Sequence, residues 1–201
     1  MTTELHLVMH AVAIKKHGDA TAVASVAGLS LPQVECTLAG ALAGGRVAAV
    51  DGRYLLTPAG QVIVAAEYSR FYDALRADAG FVAAYERFEV VNRVLKQLIT
   101  DWQTRDIGGK RVANDHSDAD YDERIVARLG QLHERFEPIL KQLIAGAPRL
   151  GVYARKLAQA LEKAEDGDAA WVSDARQESY HTVWFELHED LLRLLGRVRD
   201  E

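Results

Sequence analysis

A chain of 201 residues with 49% hydrophobic residues is long enough and apolar enough to bury a real core, which excludes a disordered polymer. Its formal net charge of −5 lacks the basic footprint of a free-standing nucleic-acid binder. A single cysteine, Cys36, excludes an internal disulfide, and alanine, leucine and valine with only 4 prolines favour helices. The longest uncharged stretch, Ala20 to Val34, is too short to span a bilayer. The opening MTTELHLVMH has no basic region ahead of its apolar residues, so no secretory leader is expected. The expectation is a soluble, reducing, cytoplasmic setting with no membrane association, in which Cys36 is a small buried helical residue.

In chain order, a first helix is predicted from Glu4 to His17, with Leu5, Val8, Met9 and Val12 on one face. Asp19 caps a second helix that ends at Gly28. Ser30 caps a third, with Pro32 in its first turn and Val34, Leu38, Ala41 and Leu42 facing inward, stopped by Gly44-Gly45. The runs VAAV and RYLL around Asp51-Gly52 carry the strongest local hairpin signal. Thr57 then caps a helix with Pro58 at its first position, and Val62, Ala65, Ala66, Ser69 and Tyr72 are its expected buried positions.

A long helix from Phe81 to Trp102 follows Gly80, with Phe81, Tyr85, Phe88, Val91, Leu95, Leu98 and Trp102 forming a packed stripe. Residues 104–121 read as one long polar loop. Three further helices are expected, from Tyr121 to Ile144 with a kink or split at Pro138, from Gly151 to Glu165, and from Ala170 to Leu195. The predicted fold is mainly α. A winged helix-turn-helix with a two-stranded wing occupies residues 1–79, and a helical dimerisation and ligand-sensing domain occupies residues 80–201.

The order of helices and hairpin, with the segment YLLTPAG after the hairpin, resembles MarR-like and PadR-like bacterial regulators over about residues 5–75. That resemblance implies a winged-helix fold and, with it, DNA binding. The strings TDWQ, NDHSD and SYHTVWFELHEDLL resemble a helical extension of some actinobacterial proteins. Those proteins are MarR-like or occur beside phosphoenolpyruvate-utilising enzymes, which implies a regulatory role.

In a helix-turn-helix the exposed start of the recognition helix touches base edges. Ser30, Gln33, Glu35 and Thr37 are the polar residues available there, with Gln33 suited to adenine and Thr37 to the thymine methyl. The helix has no lysine or arginine, so phosphate contacts fall to Lys15, Lys16, Arg46 and Arg53. Those four are balanced by Glu4, Asp19, Glu35 and Asp51, which leaves residues 1–60 formally neutral. The competing reading is a winged helix that docks protein.

The segment Asn114-Asp115-His116-Ser117-Asp118-Ala119-Asp120-Tyr121-Asp122 presents alternating oxygen donors, but it lacks the glycine and the closing glutamate of a calcium loop. Capping of the next helix by Ser117, Asp118 or Asp120 explains the same residues. In the last helix His181 and His188 share a face, and His133-Glu134 is a further candidate for a shared metal. The competing reading packs Tyr180, Trp184, Leu187, Leu191 and Leu194 as core. A small-molecule effector site is assigned to Trp102, Asn114, Asp115, His116, Tyr180, His181, Trp184 and His188.

The expected function is a dimeric, ligand-responsive transcriptional regulator that binds double-stranded DNA, not an enzyme, with no metal and no cofactor. The alternative is a winged-helix module regulating a partner, such as a phosphoenolpyruvate-utilising enzyme, without touching DNA. A small metal-dependent enzyme stands third.

Overall fold

A computed structural model describes residues 2–198, and the chain is mainly helical. It divides into two compact units, residues 1–78 with 186–201, and residues 79–185. The division falls within the last helix, whose residues from Glu186 onward go with the first unit and not with the expected second domain of residues 80–201.

The first unit begins with α1 (Glu4–Lys15), α2 (Ala20–Ala27) and α3 (Leu31–Ala43), continues through β1 (Val47–Val50) and β2 (Arg53–Leu56), and then α4 (Pro58–Ala77). The caps form as the side chains dictate. Asp19 accepts from the amide of Ala22, and Gly28 closes α2 in the left-handed conformation. Ser30 and Gln33 make a capping box at α3, which also carries Pro32 in its first turn. Asp51 and Gly52 both adopt positive φ, the type I′ geometry that lets β1 and β2 pair with Val50 opposite Arg53. Gly18 adds a bridge to the outer side of β2, its amide donating to the Tyr54 carbonyl and its carbonyl accepting from the Tyr54 amide.

Thr57 joins the hairpin to α4. Its hydroxyl donates to the carbonyls of Gly45 and Arg46 and accepts from the amide of Gly60. This draws the first turn of α4 against Arg46 so closely that a Cβ on Gly60 would lie 1.9 Å from the Arg46 carbonyl oxygen. The TPAG string is therefore a cap, a rigid first turn and a contact that only glycine allows.

The last helix, α9 (Tyr180–Leu195), contributes residues from Glu186 onward to this unit. Its C-terminal carbonyls are taken by Arg76 of α4, whose guanidinium donates to Leu194 and Arg193.

The second unit pairs α5 (Ala79–Gln103) along its length with α6 (Ala119–Gly146), followed by α7 (Gly151–Glu165), the short α8 (Ala170–Ser173) and the first residues of α9. Its core is aromatic. Trp184 lies between the rings of Phe88, Phe136 and Tyr180, and its indole N–H donates to the Asn92 side chain at 3.0 Å. Asn92 occupies a core position on the α5 stripe because it satisfies that indole.

Several expectations are corrected. Residues 104–121 are not one loop: β3 (Thr104–Ile107) and β4 (Lys110–Ala113) form a second hairpin through Gly108-Gly109, both at positive φ. The helix predicted from Ala170 to Leu195 is broken between Ser173 and Tyr180, where Asp174 bonds the Arg176 backbone and guanidinium. α6 runs unbroken through Pro138. On α4 the buried positions are Val64, Tyr68 and Tyr72, whereas Val62 is 70% exposed and Ala65, Ala66 and Ser69 face outward. Leu42 and Cys36 on α3 are exposed rather than buried.

Gly60→Ala should destabilise the protein by roughly 2 kcal/mol or more, since a backbone carbonyl must move. Gly40→Ala on α3, where a Cβ meets nothing within 4 Å, should stabilise by about 0.5–1 kcal/mol through helix propensity. Urea unfolding of the two variants beside the parent checks both signs.

Candidate interaction surface

α3 presents one face to the α1–α2 pair through Val34, Leu38 and Ala41. Its other face carries Leu31, Pro32, Glu35, Cys36, Ala39 and Ala43, all exposed. Gln33 and Thr37 on this helix are engaged within the chain. The Gln33 side-chain oxygen accepts from the Ser30 amide and hydroxyl, while its NH2 donates to Glu4 at 2.7 Å. The Thr37 hydroxyl donates to the carbonyl of Gln33, one turn back. The outward face is thus small, apolar and uncharged apart from Glu35.

The expected phosphate-contacting cations are dispersed in role. Lys15 donates to Glu186 at 2.7 Å, with both side chains only about a tenth exposed, so its charge is already paired. Lys16 ends α1 with φ 58° and ψ −44° and lines a cavity of about 440 Å³ together with Val12, Leu56, Gln61, Val64 and Arg193. Arg46 is partly covered, and Arg53 stands exposed beside the β1–β2 turn. Acidic residues outnumber basic ones in each unit.

Beneath this surface lies a buried polar network that the sequence reading missed. His10 on α1 is held through both ring nitrogens, Nδ1 by the Tyr68 hydroxyl at 2.6 Å and Nε2 by Asp190 Oδ1 at 3.0 Å. Burial pushes the Tyr68 hydroxyl above the ordinary phenol range, against the opposing effect of Arg193, so it remains a donor. The proton placement that satisfies every group has Tyr68 donating to Nδ1 and accepting from Arg193, with Nε2–H donating to Asp190. One turn earlier His6 bonds Glu67 at 2.9 Å and packs against the rings of Phe71, Tyr68 and Tyr72. The four-residue spacing of His6 and His10 was the available signal, because it puts both rings on one face of α1.

The residues assigned to an effector site fall into separate groups. In the second unit Trp102, Asn114 and His116 do come together. Asn114 donates to the Trp102 carbonyl and to Asp122, while His116 Nδ1 lies 2.8 Å from Asp122 and its ring 4.6 Å from that of Trp102. Asp115 turns the other way and accepts from the Ser117 amide and hydroxyl, which hold its carboxyl below the usual range. Asp118 caps α6 by accepting from the Tyr121 amide and also receives Arg105. The arrangement latches the base of the β3–β4 hairpin onto the start of α6.

Tyr180 and Trp184 belong to the aromatic core of the same unit. The Tyr180 hydroxyl, raised in pKa by burial, pairs with His133 Nδ1 at 3.1 Å. Burial lowers the proton affinity of His133 and His181. His188 is buried on the part of α9 that belongs to the first unit. Among the described residues no three His, Cys, Asp or Glu side chains gather as a metal site, so His133, His181 and His188 do not form one. No single described helix is long and apolar enough to cross a membrane.

Comparison with protein-family models, with curated proteins and with solved structures finds no match to this chain.

Tyr68→Phe leaves His10 Nδ1 without its buried donor. It should destabilise the protein by about 1–3 kcal/mol. Thermal unfolding checks this, and an unchanged midpoint would remove the network from the stability of the unit.

Proposed function

We propose that the chain is a winged-helix regulatory module that works by docking a partner protein through α3, rather than by reading duplex DNA. The order α1, α2, α3, β1, β2, α4, with the Gly18 bridge beside β2, supports the winged-helix reading. The observation that carries the docking reading is the outward face of α3. It has no cation, and the two side chains suited to base edges, Gln33 and Thr37, are spent on Ser30, Glu4 and the helix backbone. A helix entering the major groove must read donors and acceptors within a strongly negative field. This face offers neither, whereas Leu31, Pro32, Cys36, Ala39 and Ala43 supply close-packing apolar surface for a protein.

A second reading, DNA binding, is favoured by the exposed Arg53 at the hairpin turn, the position from which a wing reaches a phosphate. Without base contacts from α3 it gives weak and sequence-independent binding.

A photo-crosslinking residue placed at Ala39 in the producing cell should give one recurrent protein adduct that the same residue at the exposed position Glu123 of the second unit does not. An adduct to a second copy of the chain would identify the partner as itself. Adducts to DNA at Ala39, or the same adducts from both positions, would overturn the docking reading.

A further inference from the structure

The β3–β4 hairpin of the second unit is anchored at its base and exposed beyond it, and docking through α3 does not explain it. At the base the Tyr121 hydroxyl reaches the carbonyls of Asp101 and Thr104, and Arg105 pairs with Asp118 at 2.7 Å. The Asn114–Asp122 bond ties the residue after β4 to α6. All four residues of β4 are exposed, and Ile107 and Val112, on one face of the hairpin, are 61% and 40% exposed. A two-stranded hairpin alone is marginally stable in water, and a third strand or a packed surface stabilises it. An arm held this firmly at one end presents an unfilled strand position at its side.

The register says which side is open. Gly108 and Gly109, both at positive φ, make a two-residue turn, so Ile107 and Lys110 exchange backbone bonds across it. Alternation then turns the amide and carbonyl groups of Arg111 and Ala113 outward along the free side of β4. On β3 the corresponding outward carbonyl, that of Thr104, is already taken by the Tyr121 hydroxyl. We propose that the outer edge of β4 accepts an extended acidic segment of a partner protein as a third strand.

The charge of the edge selects the occupant. Among the described residues neither Lys110 nor Arg111 is in an ion pair. Asp106, opposite Arg111 in the register, turns its carboxylate to the Gly109 amide at 2.8 Å. Cations on an edge strand repel a like-charged strand, the same edge of a second copy included, and favour an acidic one. Ladder bonds to Arg111 and Ala113 supply affinity whatever the sequence. Acidic residues against Lys110 and Arg111, with an apolar one against Val112, supply specificity. The inference stands whether α3 meets protein or DNA.

The test titrates the full chain with three end-blocked hexapeptides and follows its backbone amide signals. The first is Thr-Val-Glu-Glu-Val-Thr, which sets its glutamates against Lys110 and Arg111 and a valine against Val112 in either strand direction. The second replaces both glutamates with lysine. The third is the first N-methylated at both glutamates, which removes a ladder donor from each of its edges. The glutamate peptide should shift the amides of Arg111, Val112 and Ala113 in one saturable process and slow the hydrogen exchange of Arg111 and Ala113. The lysine and N-methylated peptides should bind about ten-fold or more weakly. Lys110→Gln with Arg111→Gln, both exposed positions, should weaken the glutamate peptide by about ten-fold and end its advantage over the lysine one. No saturable shift, equal binding of either control peptide, or undiminished discrimination in the double variant would each overturn the proposal. Concentration-dependent shifts of the same amides without peptide would also overturn it, by showing a second copy on the edge.

Discussion

The hydrogen bonds on the two nitrogens of His10 set the character of the first unit. A buried imidazole must be satisfied at both nitrogens, and here the partners come from α4 and α9, with Tyr68 on one side and Asp190 on the other. That requirement brings α9 against α1, where the Lys15–Glu186 pair adds a second nearly buried link and Arg76 closes the helix end. α1 is consequently buried over most of its surface, including His6, Val8, Met9, His10, Ala11 and Val12. A helix wrapped in this way cannot present its lysine at position 15 to a partner, because that charge neutralises Glu186.

The consequences reach the outer surface. With α1 enclosed, α3 and the β1–β2 hairpin are among the exposed faces of the first unit. On α3 the polar side chains serve the fold itself: Gln33 completes the capping box and ties to Glu4, and Thr37 bonds back to its own helix. What remains is a face of alanine, proline, leucine and cysteine with one charge, Glu35. Such a surface loses little when it leaves water against another protein, and has little to offer a phosphate backbone. Lys16 and Arg193 line a cavity inside the unit, and Arg193 is paired with Glu189.

Local chemistry was legible in the sequence wherever it was decided by near neighbours. Asp19, Ser30 and Thr57 cap the helices they precede, Asp51-Gly52 turns the hairpin, and Asp118 caps α6, because each acts within a few residues of itself. The apolar run from Val62 to Ala66 gave no phase for α4. The choice of Val64 over Val62 is made by Tyr68 and Tyr72, whose rings pack on His6. The β3–β4 hairpin escaped notice because its strands are polar and exposed, although Gly108-Gly109 is a recognisable two-residue turn. The expected effector residues separated for the same reason that the His10 network was missed. His10 and Asp190 are 180 positions apart, and nothing local marks one as the partner of the other. The Asn114–His116–Asp122 latch was visible as a polar cluster, but its role in closing a hairpin depends on the strands it follows.

The account turns on the claim that α3 is a protein-facing helix. The most direct measurement is the fluorescence anisotropy of a labelled duplex carrying the gene's own upstream region, titrated with the full chain across a range of salt concentrations. The account predicts no saturable, sequence-dependent binding even at low salt, and no difference from an unrelated duplex. Tight binding to the upstream duplex that falls steeply with added salt, each phosphate contact contributing about −0.9 to the logarithmic slope, would contradict it.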